Sequence, residues 1–148
     1  MKHSLIIIYS LAFLLFFSCK NQQSGEDIVK KDFDFAASQL TLAMTEADKV
    51  LAEDTTAVKK KLVSPRTMKA DGKLSMVASW DWCSGFFPGS LWYMYEYTKD
   101  KKWEEAARKY TDPLEREKTN GTTHDMGFKV YCSFGNGYCL TNDENYKN

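Results

Sequence analysis

The sequence predicts an all-α fold, and three observations predict it. Apolar residues recur at helical spacing over long stretches, no segment alternates apolar and polar residues as a half-buried strand does, and the breaks between stretches carry turn residues. The chain has 148 residues, 43% hydrophobic and 14% aromatic, which suits a single globular domain. Lys plus Arg and Asp plus Glu stand at 20 each. With no net positive field to hold a phosphate backbone, nucleic acid is excluded as a partner.

The first element is not part of the fold. Lys2 and His3 make a short polar start, and Leu5 to Phe17 is an apolar run interrupted only by Ser10. Such a run is too short for a stable bilayer span and suits the core of a signal peptide. It ends in Phe17-Ser18-Cys19, a small residue followed by Cys, which resembles a bacterial lipobox in which Cys19 becomes the acylated mature N-terminus. Phe16 and Phe17 depart from the tightest form of that pattern, so cleavage without lipidation is the alternative. Residues 1–19 are thus expected to be a lipoprotein signal peptide, 20–27 a polar tether, and 28–148 the folded part. The protein is expected to be exported to the periplasm or outer membrane and held there by its lipid.

Next comes an amphipathic helix from Asp27 to about Ala52. Phe33, Ala36, Ala37, Leu40, Ala43, Met44, Ala47, Val50 and Leu51 share one face. Residues from about Thr55 to Ser79 are polar, broken by Pro65 and Gly72, and read as a long connection of the kind that is often functional. Gly85-Phe86-Phe87-Pro88-Gly89 is turn-like, with Pro88 suited to a helix start. Ser90 to Tyr97 is apolar almost all round and is expected to be largely buried. Lys101 to Glu117 forms a further helix that Pro113 kinks or ends. Met126 to Phe134 forms a short one, stopped by Gly135-Asn136-Gly137. Thr141 to Glu144 reads as a helix N-terminus with a cap and an acidic first turn. Four helices and the start of a fifth are few layers for so many aromatics, so the chain is expected to be the opening third of something larger.

Setting Cys19 aside leaves Cys83, Cys132 and Cys139. Cys132 and Cys139 are near enough in sequence to pair, but small buried thiols are the preferred reading. No Cys/His cluster has ligand spacing, so no metal site is expected, and no cofactor is called for.

Three clusters carry the chemistry: Trp80-Asp81-Trp82-Cys83 with the turn that follows, Leu91 to Thr98, and Thr123-His124-Asp125-Met126-Gly127-Phe128. Aromatic rings pack on the C–H faces of sugars, while carboxylates and imidazoles bond sugar hydroxyls. Glycoside chemistry needs carboxyls that give or take a proton. The competing reading makes the aromatics core and His124-Asp125 a helix cap, and composition alone favours it.

The motifs in their order tip the balance. Trp82-Cys83-Ser84-Gly85-Phe86-Phe87-Pro88-Gly89-Ser90-Leu91-Trp92, Tyr95-Glu96-Tyr97-Thr98, Leu114-Glu115 and Thr123 to Phe128 together resemble glycoside hydrolase family 88, the unsaturated glucuronyl hydrolases. Tyr131 to Tyr138 is similar to the continuation found in members from Bacteroidetes. The resemblance implies an (α/α)6 barrel, of which this chain is the N-terminal and incomplete portion. It implies release of the C4=C5 unsaturated uronic acid from the non-reducing end of glycosaminoglycan-type oligosaccharides left by lyases, by hydration of a vinyl ether. Asp125 then matches the family's first catalytic Asp, which holds and polarises the substrate near the double bond. His124 matches a substrate-binding His, and Trp82 an aromatic lining the sugar subsite. The second Asp, the proton donor, is expected beyond Asn148, and Asp143 sits in a different motif. Two alternatives stand beside this reading: an unsaturated rhamnogalacturonyl hydrolase with the same barrel, and a surface sugar-binding lipoprotein without catalysis.

Overall fold

The computed structural model describes residues 24–147, so the signal peptide, Cys19 and the first half of the expected tether lie outside the described residues. Among the described residues the chain opens with helix α1 (Gly25–Glu53), and Phe35–Asn148 forms a compact unit. Helix α1 starts inside the expected tether because the Ser24 hydroxyl accepts the Asp27 N–H at 3.1 Å, a capping bond that lets the helix begin early. Its buried and half-buried positions are Phe33, Ala36, Ala37, Leu40, Ala43, Met44, Ala47, Val50 and Leu51, together with Glu46. Apart from Glu46, this is the face that the apolar spacing predicts.

The expected long connection is not irregular. Strands β1 (Leu62–Met68) and β2 (Leu74–Ala78) pair antiparallel, closed by a turn in which Gly72 takes φ +80°. Two register shifts, between Leu62 and Ser64 and between Pro65 and Thr67, break the strict alternation that marks a strand in sequence. Pro65 sits beside a bulge, where its missing N–H costs little ladder bonding, so it does not break the strand. The other regular elements among the described residues are helical.

Helix α2 (Phe86–Thr98) packs on helix α3 (Lys101–Thr111). The Asp100 carboxylate caps α3 by accepting the Lys102 N–H at 3.0 Å. Leu91, Trp92 and Met94 of α2 are buried with Trp103, Ala107 and Tyr110 of α3. The Trp92 indole N–H donates to the Thr111 hydroxyl at 3.0 Å, so its one polar group is satisfied in the core. Tyr93 and Tyr97 are exposed, so the expected, largely buried helix buries Leu91, Trp92 and Met94 and leaves an open side. At Pro113 the α-helix gives way to a 3-10 turn, Asp112–Glu117, as expected of a residue lacking an N–H.

Helix α4 (Met126–Val130), a π-helical turn (Tyr131–Gly135) and helix α5 (Asn136–Thr141) follow one another without a break. Gly135-Asn136-Gly137 therefore does not stop the helix. Gly137 is there for space: a Cβ would lie 2.5 Å from Tyr146 Cδ2 and 2.9 Å from Trp92 Cζ2. Asn142, with φ +55°, ends α5, so Thr141 and Asn142 form a C-terminus rather than an N-terminus. The cap expected there is Asp143, which accepts the Asn145 N–H at 3.1 Å and opens a 3-10 turn, Glu144–Tyr146. The Arg108 guanidinium holds Asp143 at 2.7 Å and Glu104 at 3.0 Å, and lies over the Trp92 and Tyr146 rings.

Candidate active site

The loop from Ser79 to Gly85 carries Trp82, and buried hydroxyls fix it. The Ser64 hydroxyl of β1 donates to the Ser84 carbonyl at 2.9 Å, and the Ser84 hydroxyl donates to the Ser79 carbonyl at 2.8 Å. The Ser79 hydroxyl donates to Glu117 at 2.6 Å. Buried hydroxyls must find such partners, and here each partner belongs to the loop or to an element that positions it. Glu117 also accepts from the Asn120 amide at 2.8 Å and faces Lys129 of α4 at 3.9 Å. Burial pushes the Glu117 carboxyl up, but the Ser79 and Asn120 hydrogen bonds and the Lys129 charge outweigh it and leave it below its ordinary value. Lys129 is only 1% exposed, and its ammonium has no hydrogen bond among the described residues.

Asp81 completes the loop. One carboxylate oxygen accepts the Cys83 N–H and thiol at 3.1 and 3.0 Å, and the other accepts from Arg66 at 2.8 Å. Burial and the neighbouring Asp81 push the Cys83 thiol up to about 11, so it is a protonated donor rather than a nucleophile. Cys83 and Cys132 are free and half-buried, and Cys139 is free and exposed, which corrects the expectation of a buried thiol there.

The loop meets α4 through glycine. A Cβ on Gly85 would strike the Phe128 and Lys129 backbones, lying 2.7 Å from Lys129 Cα, and one on Gly89 would lie 2.8 Å from the Cys132 carbonyl. Gly85 and Gly89, one turn apart, let the start of α2 lie against the backbone of α4 and the turn after it. That contact brings Trp82, Phe86 and Phe128 together. Trp82 stands edge-on to Phe86 at 5.7 Å and to Phe128 at 6.2 Å, and Phe86 and Phe128 are 5.5 Å apart. All three rings remain open to solvent, Trp82 at 45%.

Asp125 stands immediately before α4, three residues from Phe128. It occupies the capping position, yet its carboxylate accepts no helix N–H. Its contacts are local: the Thr123 hydroxyl donates to it at 3.3 Å, and His124 Nε2 lies 3.5 Å away. The Asp125 side chain is 26% exposed and that of His124 95%. The structure thus joins Trp82 to the His124-Asp125 segment through Phe128, and leaves the carboxylate free of the capping role that the competing reading gave it.

No family model matches the sequence. Over 83 residues, 55% of this chain, it is 48% identical to an unsaturated glucuronyl hydrolase of Formosa agariphila, and the match covers 21% of that protein. Over 84 residues it is 31% identical to an unsaturated glucuronyl hydrolase of Bacillus sp. strain GL1, covering 22% of that protein. The fold matches the crystal structure of an unsaturated glucuronyl hydrolase specific for heparin with a TM-score of 0.66 and 38% identity, over 82% of this chain and 30% of that one. Over the matched stretches the chain is similar to unsaturated glucuronyl hydrolases, the proteins its motifs resemble. It spans about a fifth of the length of the curated relatives it matches, and its mostly helical fold corresponds to part of the family's (α/α)6 barrel. The family's members named here are glucuronyl hydrolases, and neither alternative reading gains support from them.

Three features of the site were not legible in the sequence: the serine relay, the Glu117–Lys129 pair and the placement of Arg66 against Asp81. Isolated Ser, Glu and Lys residues carry no pattern that marks them as buried.

Proposed function

We propose that the protein releases the C4=C5 unsaturated uronic acid from the non-reducing end of lyase-generated oligosaccharides. The observation that carries this reading is the Asp125 carboxylate, which caps no helix N–H at the start of α4, the same short helix whose Phe128 ring meets the open Trp82 ring. In the reaction, an acid protonates C4, water adds at C5, and the resulting hemiketal opens the ring and frees the remaining saccharide. Asp125 holds and polarises the substrate beside the double bond, where a fixed carboxylate stabilises developing positive charge. His124 bonds the sugar, and the Trp82 ring packs on its apolar face. The remaining length of the family's members is where this reading places the acid that protonates C4. No cofactor is needed for these steps.

The test is an assay of the full-length gene product on an unsaturated uronyl disaccharide, following the ultraviolet absorbance of the double bond. Absorbance should fall as the ring opens, while the saturated disaccharide should stay intact. An unchanged absorbance, or equal cleavage of the saturated sugar, contradicts the reading.

The sequence from Leu5 to Cys19 supports export and lipid anchoring of this enzyme at the cell envelope, where lyase products reach it. Among the described residues no helix is long and apolar enough to cross a membrane. Metabolic labelling with a fatty acid should mark the protein, and Cys19→Ala should abolish the label. Label that persists in the variant rules the anchor out.

A further inference from the structure

Beside the Trp82 loop, on the hairpin side, lies an open cavity of about 560 Å³ whose polar wall holds Lys59, Lys60, Lys61, Trp80 and Asp81. The proposed reaction makes no use of it. Its charge is uneven. Lys60 pairs with Asp54 at 3.2 Å, and Asp81 is engaged by Arg66 at 2.8 Å. Lys59 and Lys61 have no acidic partner among the described residues, so the wall keeps two uncompensated cations. Lys61 also takes φ +54°, a backbone state that a non-glycine residue adopts at a cost and that concentrates at functional sites.

Among the described residues, the aromatic in this wall is as exposed as any outside the helices. Trp80 is 64% exposed and has no ring partner among the described residues. Trp80 and Trp82 flank Asp81, yet only Trp82 joins the Phe86 and Phe128 rings. A large exposed indole beside a concave wall keeps an apolar face available for a ligand.

We propose that this cavity is a second saccharide subsite, separate from the Asp125 site, which binds an acidic sugar by stacking it on Trp80 and pairing its carboxylate or sulfate with Lys59 and Lys61. Two features favour a sugar over an anionic lipid surface. The lysines and the indole line a concavity sized for a small ligand rather than a protruding face. Leu62, Met76, Val77 and Ala78 line its apolar part without projecting a hydrophobic wedge that a bilayer would take up. Carboxylate and sulfate sugars share the oxyanion that the lysines would recognise, and the probes below separate them.

The experiment measures binding and not turnover, using saturated oligosaccharides that lack the double bond. Its outcome is therefore independent of whether the proposed hydration is correct. The full-length protein is titrated calorimetrically with a saturated hyaluronan hexasaccharide, a saturated chondroitin 6-sulfate hexasaccharide and neutral maltohexaose, and tested for sedimentation with anionic phospholipid vesicles. At least one acidic hexasaccharide should bind, and maltohexaose should not. Binding should persist in Trp82→Ala and fall about tenfold in Trp80→Ala, as expected for loss of one stacking ring. It should fall similarly in Lys59→Ala/Lys61→Ala, where it should also lose much of its salt dependence. Trp80→Tyr, which keeps a ring, should retain most of the affinity. A preference for the sulfated sugar assigns the lysines to sulfate, and equal binding assigns them to the carboxylate. The subsite is overturned by absence of acidic-sugar binding, by binding indifferent to Trp80 and the lysines, by equal binding of maltohexaose, or by binding to vesicles alone.

Discussion

Trp82 and Trp92 lie ten residues apart, one in the loop before α2 and one within α2, and they meet opposite fates. Trp92 is fully buried, its indole N–H bonded to Thr111 and its ring against Tyr95, Tyr146 and Arg108. Trp82 is held in place by a loop whose own hydroxyls and carboxylate are satisfied, yet its ring stays open beside Phe86 and Phe128. The same side chain thus supports the fold in one place and is presented to the outside in the other. The difference lies in the backbone: α2 directs Trp92 toward α3, while Gly85 lets the loop ride against α4 and leaves Trp82 on the rim.

That difference can be tested by stability, beginning with the largest effect. Trp92→Ala should cost about 3–5 kcal/mol, because it leaves a cavity and strips the Thr111 hydroxyl of its partner. Urea unfolding of the full-length protein measures it, and a loss near that of a surface substitution would break the contrast.

A smaller effect is expected at Glu117, which ties the Trp82 loop to α4. Its carboxyl titrates below its ordinary value in the folded state. Its ionised form therefore contributes stability at neutral pH, and that contribution is lost as the pH falls from the ordinary carboxylate range through the lowered folded value. The melting temperature of Glu117→Gln should fall less between pH 7 and pH 3 than that of the parent protein. Equal pH dependence in the two would show that the pair does not hold the loop.

The least of these three stability effects is expected at Trp82→Ala, which loses two edge-on ring contacts and about 1 kcal/mol of folding stability. Affinity for an unsaturated disaccharide at the Asp125 site should fall by about tenfold or more. Loss of stability on the scale of Trp92→Ala, with affinity intact, would make Trp82 a core residue.

How much of this was legible in the sequence depended on whether the signal was local. The face of α1 was, because nine apolar residues recur at helical spacing and all are at least half-buried. The hairpin was not, since its bulges erase the alternation and Pro65 reads as a breaker. Gly135-Asn136-Gly137 read as a stop because glycine weakens helices, while here Gly137 makes room for Trp92 and Tyr146. Thr141 to Glu144 reads as a helix start from its capping residues, whereas the positive φ of Asn142 makes Thr141 and Asn142 a helix end. Within the site, Trp82, His124 and Asp125 were found by motif and not by physics. Nothing local to an Asp before a short helix tells whether its carboxylate caps that helix, and only the fold shows that this one does not.

The measurement that tests the account most directly is Asp125→Asn in the full-length gene product, followed by unfolding and by turnover of an unsaturated disaccharide. Asp125 is partly exposed and caps no helix, so stability should change by no more than about 0.5 kcal/mol. Turnover should fall by at least about a hundredfold, as expected when a fixed carboxylate is removed from beside developing charge. A stable variant with near-normal turnover would contradict the assignment of Asp125, and a variant that unfolds would show that this carboxylate serves the fold instead.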